Sequence, residues 1–411
     1  MRISIPSIPH NGNTRSIIEY TVPQAGEMVA EFLRRGRRKN LIMTGAGVSV
    51  DSGIAPYRGE NGHYTVHKTY RPIFFHEFTA LSDKGHTYRQ RYWSRSYLGF
   101  PPVRHALPNK THYSIAALQR LGHVPEFITQ NVDSLHHAAT PSPSLAAASI
   151  LELHGTLAYV VCVSRLDGTS ARANRGDGRA ETSFPSSASA LFDPDMHARL
   201  ALPHLHNPRA TASHWSNTST GSSYAPGCGF RGSRAAFQDV LTDWNPRWAD
   251  FSAEMAASNT LLKTNPDGDV QLGADTNYSS FMYPPCPSCG GVLKPAVVFF
   301  GESVPDELRD RSHALVASSD SFMLVGSSLA TYSAFRLVKQ AVEERKRVMI
   351  VNIGPTRADP IVPDKIELPS SDVLGNAAKL LAGSMGSSDP VLKHLLESGV
   401  KVQPTRRVTS S

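Results

Sequence analysis

Gly45-Ala46-Gly47-Val48-Ser49-Val50-Asp51-Ser52-Gly53-Ile54-Ala55-Pro56-Tyr57-Arg58 follows the short apolar run Asn40-Leu41-Ile42-Met43-Thr44. A buried strand that ends in closely spaced glycines lets a backbone come close to a pyrophosphate. Glycine removes the Cβ atoms that would stand in the way, and the next helical turn offers unpaired N–H groups. Taken alone, the pattern fits a plain tight turn equally well. What lies further along the chain decides between the two.

Apolar, strand-like runs recur at 127–129, 296–300, 322–325 and 348–353, with helix-like segments between several of them, including 111–121 and 332–345. Strands alternating with helices predict an α/β fold, a doubly wound parallel sheet covered on both faces. Ligands of such sheets collect beyond the carboxyl ends of the strands. Gln130-Asn131-Val132-Asp133, Gly326-Ser327-Ser328 and Asn352-Ile353-Gly354 each fall just after a predicted strand. They are expected to converge with the glycine loop on one crevice.

The chain has 411 residues, 40% hydrophobic and 19% charged, enough for a sizeable core and for two or three domains. No apolar run approaches the roughly 18 residues that cross a bilayer, so no membrane partner is expected. The net charge of +7 would suit an acidic partner, but the basic residues are scattered apart from Arg34-Arg35-Gly36-Arg37-Arg38-Lys39. That run reads as a solvated helix end, and no direct nucleic-acid binding is expected. The stretch before Glu19 has arginines and no acidic residue, the bias of a mitochondrial leader, and the mitochondrial matrix is the expected location. Four cysteines in a chain without a secretory signal point to metal or catalysis before disulfides.

Two further motifs carry chemistry. Leu151-Glu152-Leu153-His154-Gly155 sets a histidine among apolar residues. Cys286-Pro287-Ser288-Cys289-Gly290-Gly291 has the spacing of a metal knuckle. With the glycine loop, Thr129-Gln130-Asn131-Val132-Asp133-Ser134-Leu135-His136, Val298-Phe299-Phe300-Gly301-Glu302, Gly326-Ser327-Ser328-Leu329 and Val351-Asn352-Ile353-Gly354, this ordered set resembles the sirtuin family, NAD-dependent protein-lysine deacylases, over residues 40–375. Arg71-Pro72-Ile73, Arg91-Tyr92-Trp93-Ser94-Arg95 and Asn352-Ile353-Gly354-Pro355-Thr356-Arg357 look like the class II, mitochondrial sirtuin-four subgroup.

The resemblance implies a Rossmann-like NAD-binding domain over 17–157 and 295–385, after a leader at 1–16 and before a tail at 386–411. It implies a helical, cofactor-covering flap at 58–108 and a small zinc module at 158–294. In the family chemistry the acyl oxygen of a modified lysine attacks C1′ of the nicotinamide ribose, nicotinamide leaves, and a histidine takes a proton from a ribose hydroxyl. The products are lysine and an O-acyl-ADP-ribose. His154 matches that histidine, and its ordinary pKa of about 6.5 suits a general base. Asn131 would assist and, with Gln130, hold ribose hydroxyls. Gly45, Ala46, Gly47, Ser49, Tyr57 and Arg58 would surround the diphosphate and inner ribose, and Ile54 would pack beside the nicotinamide. Asp133 would accept from the carboxamide, or else cap a helix. Gly326, Ser327 and Ser328 supply further donors; Asn352, Ile353 and Gly354 would meet the adenosine ribose, and Val373 the adenine. An acyl-lysine peptide would pair as an added strand near Phe300, Gly301, Glu302 and Leu329. Val298 would face the acyl tunnel, although a buried strand shows the same apolar pattern.

The family's second cysteine knuckle should follow His154. Cys162 is there, but Arg165 stands where its partner is expected. Cys228-Gly229 supplies the missing half if the Ser-, Ala-, Arg- and Gly-rich segment 163–227 is an insert, read as a disordered loop. All four cysteines, Cys162, Cys228, Cys286 and Cys289, would then hold one structural zinc; the alternative is that Cys162 and Cys228 are inert buried thiols. Val163-Ser164 also matches read-through of the splice-donor sequence GTGAGT, so a retained intron is the alternative to a natural insert.

The match has departures. Ala55 stands where the family has Asp, and Ala138-Ala139 where it has Ala-Gly. Tyr64 is followed three residues on by His67, without the Tyr-x-x-Arg pair of a desuccinylase. Within enzymes the alternative reading is protein mono-ADP-ribosylation; outside them it is a non-catalytic NAD-binding module, against which His154 with Asn131 speaks.

Overall fold

The computed structural model describes residues 8, 19–36, 39–59, 62–66, 70–163, 227–258, 264–273 and 275–402. The leader apart from Ile8, the insert between Val163 and Gly227, His67, and residues 403–411 lie outside the described residues.

Six strands form a parallel sheet: β1 Asn40–Thr44, β2 Phe127–Thr129, β3 Ile150–Glu152, β7 Ser321–Val325, β8 Arg347–Val351 and β9 Lys365–Ile366. Three more, β4 Gly155–Cys162, β5 Arg231–Ser233 and β6 Leu293–Val297, form a separate antiparallel sheet. The parallel sheet runs β3-β2-β1-β7-β8-β9. From β1 the chain winds outward through β2 and β3, then returns to start the other half at β7. The seam between β1 and β7 is therefore the switch point, where neighbouring loops diverge and leave a crevice. Every residue of β1 and β7 is buried, which explains why these strands read as unbroken apolar runs rather than as alternating patterns.

Helices cover both faces. On one side the helix Val22–Arg35 carries Ala25, Val29 and Leu33 on one stripe and packs against Ser370–Ala382. Thr21 starts it: its side chain accepts from the Gln24 N–H, and Gln24 Oε1 accepts from the Thr21 N–H. Lys110–Arg120 lies beside them. The other side holds Asp306–Ser318 and Tyr332–Glu343, with Leu315, Val316, Leu337 and Val338 against the sheet.

The small sheet has its own core. Helix Asp83–His105 contributes Trp93, Tyr97 and Leu98, and helix Arg234–Trp244 contributes Phe237 and Leu241, packed with Val160, Cys162 and Leu293. The segment 58–108 is helical in large part. Most of helix Asp83–His105 is buried in the module core, where Phe78 of the short helix Phe75–Thr79 joins it, while Tyr64 of the short helix His63–Val66 lines the crevice.

Three sequence expectations change in detail. The run at 296–300 was expected to extend the main sheet, but β6 ends at Val297 and pairs antiparallel with β4 in the small one. An apolar run shows that a strand is buried without showing in which sheet. β8 stops at Val351, so Asn352-Ile353-Gly354 is a loop, with Gly354 at φ +84°. The stretch from residue 386, read as a loose tail with an amphipathic stretch at 390–396, carries there the helix Pro390–Glu397, whose Leu392, Leu395 and Leu396 are buried in the main core.

Candidate active site at the sheet switch point

The loop after β1 turns immediately into the tight helix Ala46–Ser52. Its approach to the loop after β7 requires bare backbone. A Cβ on Gly47 would lie 2.8 Å from the Gly326 carbonyl oxygen, and one on Gly326 would lie 2.6 Å from the Val48 nitrogen. Gly326 also sits at φ +60°. The Gly47 N–H donates to the Gly326 carbonyl at 2.8 Å, locking the two loops together.

Beyond β2, each polar side chain has an assigned partner. Gln130 Nε2 donates to Ser327 Oγ at 2.8 Å and to the Thr44 carbonyl at 3.2 Å. Asn131 Nδ2 donates to Ser49 Oγ at 3.1 Å. Ser49 in turn donates to Asp133 Oδ2 at 2.6 Å, and the Leu135 N–H donates to Asp133 Oδ1 at 3.0 Å. Asp133 thus caps the following turn while tying it to the glycine loop. Burial raises its pKa, opposed by the Ser49 and Leu135 hydrogen bonds.

His154 lies between β3 and β4, at the junction of the two sheets. Its Nδ1 is 3.2 Å from the Gln130 carbonyl oxygen and its Nε2 is 2.8 Å from Ser333 Oγ. Burial pushes its pKa down to about 4, so the imidazole is neutral at physiological pH. The His154 carbonyl accepts from the Val298 N–H at 2.9 Å, joining the histidine to the loop that follows β6. That loop is fixed by Glu302, whose carboxylate accepts from the Phe299 N–H at 2.7 Å and pairs with buried Lys294 at 3.0 Å.

These loops enclose a cavity of about 890 Å³, within the range of small-molecule sites. Ala46, Gly47, Tyr57 and Arg58 line it from the glycine loop. Gln130, Asn131 and His154 line its middle; Val298, Phe300, Gly301 and Glu302 line the small-sheet side. Gly326, Ser327 and Ser328, with Asn352, Ile353 and Gly354, line the far side. Ile353 is 66% exposed at the rim.

Other expected residues lie behind this wall. Gly45 packs against Ser327, while Ser49, Ile54 and Asp133 are buried beneath the lining. Leu329 and Val373 have their side chains buried in the two cores flanking the main sheet, outside the cavity lining. Leu368, Pro369, Ser370 and Ser371 line the cavity near Val373 instead. Sequence reading missed Ser333, Asp267 and Tyr70. Tyr70 donates to Asp269 at 2.6 Å, and Asp269 also holds buried Arg95. The Pro266-Asp267-Gly268-Asp269-Val270 string, which resembles the sirtuin-four subgroup, carries part of this network, and the resemblance gave it no site role.

At the far end of the small sheet the cysteines meet. Cys162, Cys228, Cys286 and Cys289 have their Sγ atoms within 4.8 Å of one another, and none is in a disulfide. Cys162–Cys289 and Cys228–Cys286 are each 3.6 Å apart. Four thiolates about 2.3 Å from a central zinc would be about 3.8 Å apart, so the cluster fits a tetrahedral metal. The Gly290 N–H donates back to the Cys286 carbonyl at 2.7 Å, closing the knuckle.

A parallel sheet with a ligand-sized cavity at its switch point, a half-buried neutral histidine in that cavity and a four-cysteine module together define an α/β protein with a small-molecule site. The Sir2 family model matches residues 45–187 and 253–333. The NAD-dependent protein deacylase SIR4 of Batrachochytrium dendrobatidis is 35% identical over 88% of this chain and 96% of its own. The NAD-dependent protein deacylase SRT2 of Arabidopsis thaliana is 34% identical over 81% of this chain and 70% of its own. A solved Sir2 homologue in complex with ADP-ribose shares the fold, with a TM-score of 0.52 at 20% identity, over 87% of this chain and 97% of that one. The chain belongs to the Sir2 family, the sirtuins.

Proposed function

We propose that this chain removes acyl groups from protein lysines in an NAD-dependent reaction that yields nicotinamide and an O-acyl-ADP-ribose. The observation that carries the reading is His154, a half-buried neutral imidazole that lines the switch-point cavity with Gln130 and Asn131. The relatives named as NAD-dependent protein deacylases and deacetylases support it.

NAD supplies an electrophilic ribose carbon with nicotinamide as its leaving group. The chain's own residues do the rest. Backbone N–H groups and the side chains of Ser327 and Ser328 suit a diphosphate, and Gln130 and Asn131 suit ribose hydroxyls. Arg58 lies over the Tyr64 ring, 5.3 Å from its centroid, and places a cation at the cavity wall. His154 takes the hydroxyl proton. Phe300, Gly301 and Glu302 offer a fixed edge for an extended acyl-lysine peptide.

Zinc is the proposed metal of the cysteine cluster, holding β4 against the knuckle after residue 285 in a structural role. A mitochondrial location is proposed from the basic, acid-free stretch before Glu19. Mass spectrometry of acetyl-, succinyl-, glutaryl-, lipoyl- and long-chain-acyl-lysine peptides, with and without NAD, tests the function. NAD-dependent loss of at least one acyl mass supports it. No loss with folded protein contradicts it, and ADP-ribose appearing on protein instead would favour the transferase reading.

A further inference from the structure

We propose that Ser333 is a positioning residue for His154: its hydroxyl holds the imidazole in one orientation and one tautomer, with the Nε2 lone pair directed toward the cavity. The inference rests on the proposed role of His154 as the base.

The hydrogen-bond chemistry leaves one assignment. A backbone carbonyl can only accept, so the contact between His154 Nδ1 and the Gln130 oxygen at 3.2 Å requires a proton on Nδ1. In a neutral ring Nε2 is then bare, and its 2.8 Å contact with Ser333 Oγ requires the serine hydroxyl to donate. The ring is held from both ends, by a carbonyl after β2 and by a hydroxyl after β7. The first follows a strand of the β1-β2-β3 half of the sheet and the second follows a strand of the β7-β8-β9 half, so the base is aligned by the two halves that form the cavity.

Ser333 is free to do this. It lies in the first turn of the helix Tyr332–Glu343, where serine often serves the helix N-terminus, yet that helix has no side-chain cap. Its hydroxyl is instead turned to His154, and Ser333 lines the cavity. The neighbouring Thr331 Oγ1 is buried without a partner, so the loop gives up a hydroxyl bond next to the one that holds the histidine.

The arrangement matters for proton transfer. A hydrogen bond donated to the neutral imidazole stabilises the unprotonated form and keeps the lone pair from pairing elsewhere. When a substrate hydroxyl reaches Nε2, it takes the place of the serine hydroxyl, one donor exchanged for another. The proton then passes from that hydroxyl oxygen to Nε2, and the O–H electron pair stays on the oxygen as the nucleophile. The imidazolium keeps its Nδ1–H on the Gln130 carbonyl throughout.

The test compares the full chain with Ser333→Ala and Ser333→Thr in two measurements. Nitrogen-15 NMR of imidazole-labelled protein without NAD, with His154 assigned by its loss in His154→Ala, reads the tautomer. The wild type and Ser333→Thr are expected to show the Nδ1–H form alone, and Ser333→Ala a tautomer mixture. An unchanged tautomer and unchanged shifts in Ser333→Ala would overturn the proposal. The second measurement compares nicotinamide exchange, which reports bond cleavage at C1′, with net deacylation, which needs the base. Deacylation by Ser333→Ala should fall roughly tenfold, a part of the 10²–10⁴ a general base supplies, with exchange within about twofold and Ser333→Thr restored. Equal loss of both rates, or no loss of deacylation, would contradict positioning. If the wild type turned over no acyl peptide, the proposed function would fail while the tautomer measurement still decided the role of Ser333.

Discussion

The Ser49 hydroxyl donates to Asp133 Oδ2 at 2.6 Å, and the same oxygen of Ser49 accepts from Asn131 Nδ2 at 3.1 Å. One hydroxyl therefore ties the loop after β1 to the loop after β2 and orients an amide that faces the cavity. Ser49→Ala removes both bonds and leaves a buried carboxylate oxygen unpaired. A loss of about 1–3 kcal/mol is expected in urea unfolding, together with weaker NAD binding by calorimetry. Unchanged stability and affinity would show that Asn131 needs no such support.

Glu152, at the end of β3, is buried, and burial pushes its pKa up to about 8 from the ordinary 4.5. The folded value lies above the unfolded one, so the protonated fold is favoured at low pH. This contribution is fully present below about pH 4.5 and is lost as pH rises toward about 8. Glu152→Gln keeps the shape without the charge. Its stability should gain on the wild type between about pH 4.5 and about 8 and level off above that, measured by urea unfolding. Parallel pH curves for the two proteins would mean that Glu152 is ionised in the fold.

Histidines run the other way. Burial drives His112 down to about 3 and His154 to about 4, and it depresses His136, whose Nε2 lies 2.9 Å from Thr44 Oγ1. Their neutral forms fit the fold, so stability is held above pH 6.5 and lost as pH falls toward the folded values. Potentiometry of unfolding at pH 5.5 should show net proton uptake by these sites, reduced in His136→Gln. Activity should keep its base to well below pH 6.5, for as long as the fold survives. An acid limb at pH 6.5 that His154 alone causes would contradict the neutral, desolvated ring.

The Arg95–Asp269 pair is nearly dry, and Tyr70 donates to the same carboxylate at 2.6 Å. Asp269→Ala strands a buried guanidinium and a phenol, with an expected loss of about 3–5 kcal/mol. Asp269→Asn should lose less. Melting temperatures of the two variants rank them; equal values would mean that the pair is relaxed by water.

Much of this was legible in the residues. Fully buried parallel strands read as the apolar runs at 41–43, 127–129 and 322–325, and the polar residues beyond them reach one cavity because the strands are parallel. The cysteine knuckle was legible by spacing, and even the split pair Cys162 and Cys228 comes together. Other features were hidden for physical reasons. β3 and β9 are three and two residues long, too short to show a period. The long helix Asp83–His105 was expected only through the resemblance, because burial on nearly all sides of its central turns erases its amphipathic stripe and Pro101-Pro102 argues against a helix there. Ser333 gave no signal at all, because its role depends on a contact with His154 across 179 positions of sequence. Leu329 and Val373 were placed near ligands by motif alone, and the burial of their side chains in the cores on the two faces of the sheet was not legible in those motifs.

For the cysteine cluster, Cys228→Ser should release one bound zinc per chain and lower the melting temperature, while a buried-thiol role would leave the metal content at zero in both proteins. Inductively coupled plasma mass spectrometry with a thermal melt decides between them.

The most direct measurement is stoichiometry. Acyl-lysine peptide, NAD and the full chain are incubated together, and free lysine peptide, nicotinamide and O-acyl-ADP-ribose are counted in one chromatogram. Equal amounts of all three from the wild type, and none of the lysine peptide from His154→Ala, are the result predicted for a deacylase with His154 as its base. Lysine peptide formed at the same rate by His154→Ala, or formed without NAD, would contradict it.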